Sequence, residues 1–119
     1  MAGLCCADEI DNLIEAIGQV ESGNCDYPKG SNDNGLAKGR YQIHKAYWQD
    51  GTEYLKVNWP YEDAHKPDKA RKVVRAYFAR YGKDLTIKEL AYLHNAGPNW
   101  RNIKTTEKYW KKVEKNIKK

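Results

Sequence analysis

Cysteine is scarce in this chain and absent from most of it: Cys5, Cys6 and Cys25 all fall in the first 25 of 119 residues. No disulfide framework is therefore available beyond the N-terminal segment, and packing must hold the rest. Pairing Cys25 with Cys5 or with Cys6 would staple the opening residues to the loop after the first helix, worth roughly 3 kcal/mol, and leave one thiol over. Adjacent cysteines followed by a long gap lack zinc-ligand spacing, and the histidines are scattered at His44, His65 and His94, so no metal site is expected. No stretch approaches the apolar length needed to cross a bilayer, and the N-terminus has neither the charged region nor the apolar core of a signal peptide. Internal repeats, linkers and low-complexity tracts are lacking too. A chain of 119 residues accommodates one domain with a sizeable core, not two.

Phenylalanine is nearly absent, one residue against nine Tyr and four Trp. Most large rings therefore carry a polar edge, which suits a carbohydrate groove or a wet interface as well as the rim of a core. The formal charge of +5 is uneven: from Arg101 to Lys119 eight basic residues face two acidic ones, whereas residues 1–100 carry 13 basic and 14 acidic. A basic terminal helix of this kind steers a protein toward an anionic polymer, or simply solvates its own outer face.

Helical periodicity dominates. Asp8 to Val20 places Ile10, Leu13, Ile14, Ile17 and Val20 on one face, with acidic residues in the first turn. From Asn24 to Gly39 the composition switches to Gly, Asn, Asp, Pro and Lys, and Arg40 to Ile43 alternates as a short strand, so a small hairpin is predicted. His44 to Leu55 reads as a short helix interrupted by Trp59-Pro60-Tyr61. Pro67 to Tyr81 is the clearest helix, with Pro at its start and Gly82 just past its end. Thr86-Ile87-Lys88-Glu89 has capping-box spacing, and His94-Asn95-Ala96-Gly97-Pro98 stops the helix that follows. A last helix over about 106–118 turns Tyr109, Trp110, Val113 and Ile117 inward and its lysines outward.

Two carboxylates stand out on this frame. Glu21 falls at the end of the first helix, where the negative end of the dipole disfavours ionisation and favours a general acid. Asp33 follows twelve residues later in a Ser/Asn/Asp/Gly-rich turn. One raised carboxyl and one solvated carboxylate can act as acid and nucleophile in glycoside cleavage. Each residue also has an ordinary reading, as a solvated helix end before a glycine stop and as turn chemistry.

Glu21-Ser22-Gly23, then Asp33, then Gly39-Arg40-Tyr41-Gln42-Ile43 with Ala46-Tyr47-Trp48, Ala76-Tyr77 with Arg80-Tyr81, His94-Asn95-Ala96-Gly97-Pro98 and Tyr109-Trp110 resemble the invertebrate-type lysozymes from about residue 13 to residue 114. The resemblance implies an α+β, mainly α, lysozyme-like fold whose small β-hairpin forms one wall of the cleft. It implies hydrolysis of the β-1,4 bond between N-acetylmuramic acid and N-acetylglucosamine in peptidoglycan, with Glu21 as general acid/base and Asp33 as nucleophile or stabiliser. Gly39, Tyr41, Gln42, Tyr47, Trp48, His94 and Asn95 would bind the sugars. It further implies no cofactor, a bacterial-wall glycan rather than nucleic acid as partner, a monomer, and an extracellular or periplasmic setting. Some relatives are associated with isopeptidase activity, for which Ser22, Ser31 and His94 are the side chains to inspect.

The chain departs from that family in being cysteine-poor, with Lys38 and Trp100 where the family has cysteines. The segment between Asp33 and Gln42 is one residue shorter than the family pattern, which makes Asp26 and Asp50 the alternative second carboxylates. Two other functions fit part of the pattern. A lytic transglycosylase would use Glu21 alone and release an anhydro product, and a glycan-binding module would keep the groove without turnover.

Overall fold

The computed structural model describes residues 7–28, 36–104 and 106–117. Asp33, Ser31, Cys5 and Cys6 lie outside the described residues. The architecture is α+β and mainly α, with five α-helices and one small antiparallel sheet among the described residues.

Helix α1 (Ala7–Ser22) buries Leu13, Ile14 and Ile17 completely, the face that the apolar spacing marked. It runs far enough to include Glu21. The chain then reverses through two left-handed residues, Gly23 and Asn24, with φ of 67° and 59°. Their N–H groups close on the carbonyls of Gln19 and Gly18 at 2.9 and 3.1 Å, satisfying the last turn of the helix.

The hairpin is shorter than the sequence suggests. Strands β1 (Ala37–Lys38) and β2 (Ile43–His44) pair with Ala37 opposite His44 and Lys38 opposite Ile43. Arg40 to Gln42, expected as strand, form the turn instead. Gly39 has a φ of 78°, Gln42 a φ of 51°, and the Gln42 N–H donates to the Gly39 carbonyl at 3.1 Å. Tertiary packing overrides the alternation here: Tyr41, at the turn's centre, is completely buried, which an extended strand at this edge could not achieve. Gly39 is also a contact point, since a Cβ there would stand 1.9 Å from the Ala64 carbonyl oxygen.

Helix α2 (Lys45–Leu55) packs along α3 (Pro67–Tyr81), and a 3₁₀ turn over Tyr61–His65 links them. The close approach of α2 to α3 requires Gly51, where a Cβ would meet Val73 Cγ1 at 2.6 Å. Helix α4 (Ile87–Ala96) starts at the capping box of Thr86 and Glu89 and ends at Gly97, whose φ is 81°. After a 3₁₀ turn over Trp100–Asn102, α5 (Thr106–Glu114) lies on α4 and α1. Val113 is fully buried, with Tyr109, Trp110 and Ile117 packed against the core. The helix stops four residues before the expected end at 118. No helix among the described residues is long and apolar enough to cross a membrane.

Candidate active site

The last turn of α1, the hairpin turn, α2, the end of α4 and the first turns of α5 meet at Glu21. Its side chain is 21% exposed, and its Oε2 accepts a hydrogen bond at 2.8 Å from the hydroxyl of Tyr109 on α5. That Tyr109 hydroxyl stays a donor: burial and the negative charge of Glu21 both push its ionisation well above the ordinary tyrosine range. Oε2 of Glu21 also lies 3.8 Å from Nε2 of His94.

His94 is fixed on both nitrogens. Nε2–H donates to the Tyr41 carbonyl at 3.0 Å, and Nδ1 accepts from the Tyr47 hydroxyl at 2.8 Å. This pairing defines a neutral imidazole with its proton on Nε2. Burial is the main reason the imidazole's pKa falls to about 4, opposed by the bond to the Tyr41 carbonyl and assisted by His44. Tyr47 is likewise held protonated by burial, with Tyr77 and Glu21 adding to the effect. Its ring stacks on Tyr77 at 3.7 Å and meets the His94 ring edge-on at 5.2 Å. Glu21 therefore lies beside two protonated tyrosines and a neutral histidine at neutral pH.

The sequence-predicted residues divide into three groups. Glu21, Tyr47 and His94 come together, joined by the Tyr41 backbone. Tyr41 and Trp48, expected to line the sugar sites, are 0% and 2% exposed; they are core residues, and the Trp48 indole N–H is spent on the Trp59 carbonyl at 3.0 Å. Gly39, also expected to bind sugar, is buried against the Ala64 carbonyl; Gln42 and Asn95 remain at the rim, with the Gln42 amide donating to the Gly39 carbonyl at 2.9 Å and Asn95 exposed at the end of α4. Of the alternative carboxylates, Asp26 is paired with Arg40 at 3.0 Å. Asp50 sits in α2, where its backbone carbonyl accepts from Arg80.

Ser22 and His94 do not form a nucleophile–base couple. The Ser22 hydroxyl donates to the Arg40 carbonyl at 2.7 Å and accepts from the Cys25 N–H at 3.0 Å, while both His94 nitrogens are occupied. Cys25 is a free, exposed thiol, and among the described residues no group of His, Cys, Asp and Glu has the arrangement of a metal site.

Tyr109 is the functional side chain that sequence reasoning missed. It was legible only as an inward-facing position of the last helix, because its partner lies 88 residues away and nothing in local spacing connects the two.

Comparison of the chain with curated proteins gives no match. The family model described as Destabilase matches residues 11–116, a span that takes in Glu21, the hairpin turn, His94 and Tyr109. Members of that family are lysozyme-like, which points to glycoside hydrolase activity on a glycan. With its site assembled from those same segments, the chain belongs to the destabilase family of invertebrate-type lysozymes, as a cysteine-poor member.

Proposed function

We propose that this protein is a muramidase that cleaves the β-1,4 bond between N-acetylmuramic acid and N-acetylglucosamine by retaining hydrolysis, outside the cytoplasm and as a monomer. The observation that carries the reading is the Glu21 carboxyl held by Tyr109 beside a neutral His94. A general acid must keep a proton near neutral pH and present it in one direction. The Tyr109 hydroxyl on Oε2 fixes the direction in which the carboxyl is presented.

In this mechanism Glu21 protonates the glycosidic oxygen as the bond to the anomeric carbon breaks. Asp33 attacks that carbon to form a glycosyl ester, or stabilises the oxocarbenium-like transition state from the same face. Water then enters with Glu21 as general base, and the released muramic end is reducing. No cofactor takes part. Gln42 and Asn95 contact the sugars, while Gly39, Tyr41, Tyr47, Trp48 and His94 shape the wall behind them.

Digestion of purified peptidoglycan, with the new ends identified by mass spectrometry, tests this assignment. Reducing muramic ends from the wild type, lost in Asp33→Asn, are expected. Anhydro-muramic ends with an active Asp33→Asn variant would instead make the protein a transglycosylase, and binding without product would make it a glycan-binding module.

A further inference from the structure

Tyr41 and Trp48 are buried, so neither offers the exposed aromatic face on which a pyranose ring packs its C–H groups. Two tyrosines among the described residues are exposed, Tyr27 at 69% and Tyr54 at 50%. Tyr54 has no stacked ring among the described residues. Tyr27 lies parallel to His65, with ring centroids 4.3 Å apart and planes 5° from parallel.

We propose that Tyr27, backed by His65, is a sugar-stacking platform that binds the apolar face of an N-acetylhexosamine unit of the glycan. The inference rests on the glycan-cleaving reading of the Glu21 site and adds a subsite to it. His65 covers one face of the Tyr27 ring, and the high exposure leaves the other to solvent.

The platform is held in place from below. The His65 side chain is 14% exposed, and its Nδ1–H donates to the Asp26 carbonyl at 2.8 Å, directly before Tyr27. The Asp26 carboxylate is held by Arg40 Nε at 3.0 Å, and the Arg40 carbonyl accepts from the Ser22 hydroxyl at 2.7 Å, directly after Glu21. Each link is a short contact, so an exposed ring is oriented relative to Glu21 before any ligand arrives. Preorganisation of this kind lowers the ordering cost of binding.

Reach agrees with the assignment. Tyr27 lies six positions after Glu21, a span of at most ~22 Å even when extended, which a glycan of a few sugar units bridges. Leu36 is equally exposed, at 69%. Tyr61 fixes its carbonyl with a hydrogen bond of 2.9 Å. With Arg40 already paired to Asp26 at 3.0 Å and the Glu62 carboxylate 3.6 Å from His65 Nε2, the ligand surface that fits this stacked pair is a neutral pyranose face, not a phosphate or a carboxylate.

Calorimetric titration of the Glu21→Gln protein with the β-1,4 hexamer of N-acetylglucosamine tests the platform without turnover. Adding Tyr27→Ala is expected to weaken binding about tenfold with no change in melting temperature, whereas Tyr27→Phe, which keeps the ring, stays within about twofold. Equal binding by Tyr27→Ala and its parent would overturn the platform and leave the glycan reading standing. Failure of the Glu21→Gln parent to bind the hexamer would overturn both.

Discussion

Glu21 owes its orientation to Tyr109, a residue that shares nothing with it in sequence but the cleft. In the proposed mechanism the 2.8 Å bond serves only to position the carboxyl, so its loss should cost turnover and spare binding. Tyr109→Phe, which keeps the ring and its packing, is expected to lower kcat about tenfold with KM nearly unchanged, since general-acid catalysis depends on hydrogen-bond geometry. A matched fall in binding, or no change in kcat, would contradict the positioning role. His94 carries a second prediction. Its pKa is near 4 when folded and 6.5 in the unfolded reference, so between these values the unfolded chain binds the extra proton. The stability tied to this group is complete above about pH 6.5 and is lost as pH falls toward 4, by up to about 3 kcal/mol. Urea midpoints measured across that window should fall with acid in the wild type and flatten in His94→Gln. A wild-type midpoint independent of pH would remove the buried neutral imidazole from the account. Glu21 was legible in the sequence because a helix period ended beside a glycine; Tyr109 and the tautomer of His94 were not, because both depend on partners brought from other elements.

At the scale of elements, local chemistry was readable wherever it sufficed to decide the structure. Pro67 and the Thr86/Glu89 capping box set helix starts where they were expected, because those residues satisfy the backbone by themselves. The stretch Arg40 to Gln42 misled because its alternation suits a strand, whereas the burial of Tyr41 and the approach of Gly39 to Ala64 are tertiary facts. That turn matters to the site, since the Tyr41 carbonyl it presents anchors His94. Gly39→Ala is therefore expected to destabilise the fold by about 3 kcal/mol, combining a left-handed φ with a clash against backbone. Thermal unfolding checks this, and a melting temperature unchanged by the substitution would mean that the turn tolerates a Cβ. The second carboxylate stays a proposal, since Asp33 is outside the described residues.

Across the whole molecule, charge and cleft are joined by α5. The same helix that sends Tyr109 to Glu21 turns Lys108, Lys111 and Lys112 to solvent, so three of the eight basic residues of the C-terminal segment sit on an element of the site. If that field draws the enzyme to anionic walls, rates on intact bacterial walls should fall several-fold as ionic strength passes physiological levels, where screening acts within about 8 Å. Rates on neutral N-acetylglucosamine oligomers should hardly change. Equal salt dependence on both substrates would leave the lysines as solubilising charge. The sequence carried this asymmetry plainly in its counts, but only the packing of α5 on α1 and α4 brings part of it near the proposed acid, Glu21.

The most direct test of the central claim is the release of reducing ends from purified peptidoglycan by Glu21→Gln beside the wild type, both confirmed folded by their melting temperatures. An isosteric amide keeps an acceptor for Tyr109 but has no acidic proton, so the account predicts steady release by the wild type and a loss of at least about 10²-fold in the variant. A folded Glu21→Gln protein that cleaves peptidoglycan at the wild-type rate would contradict it.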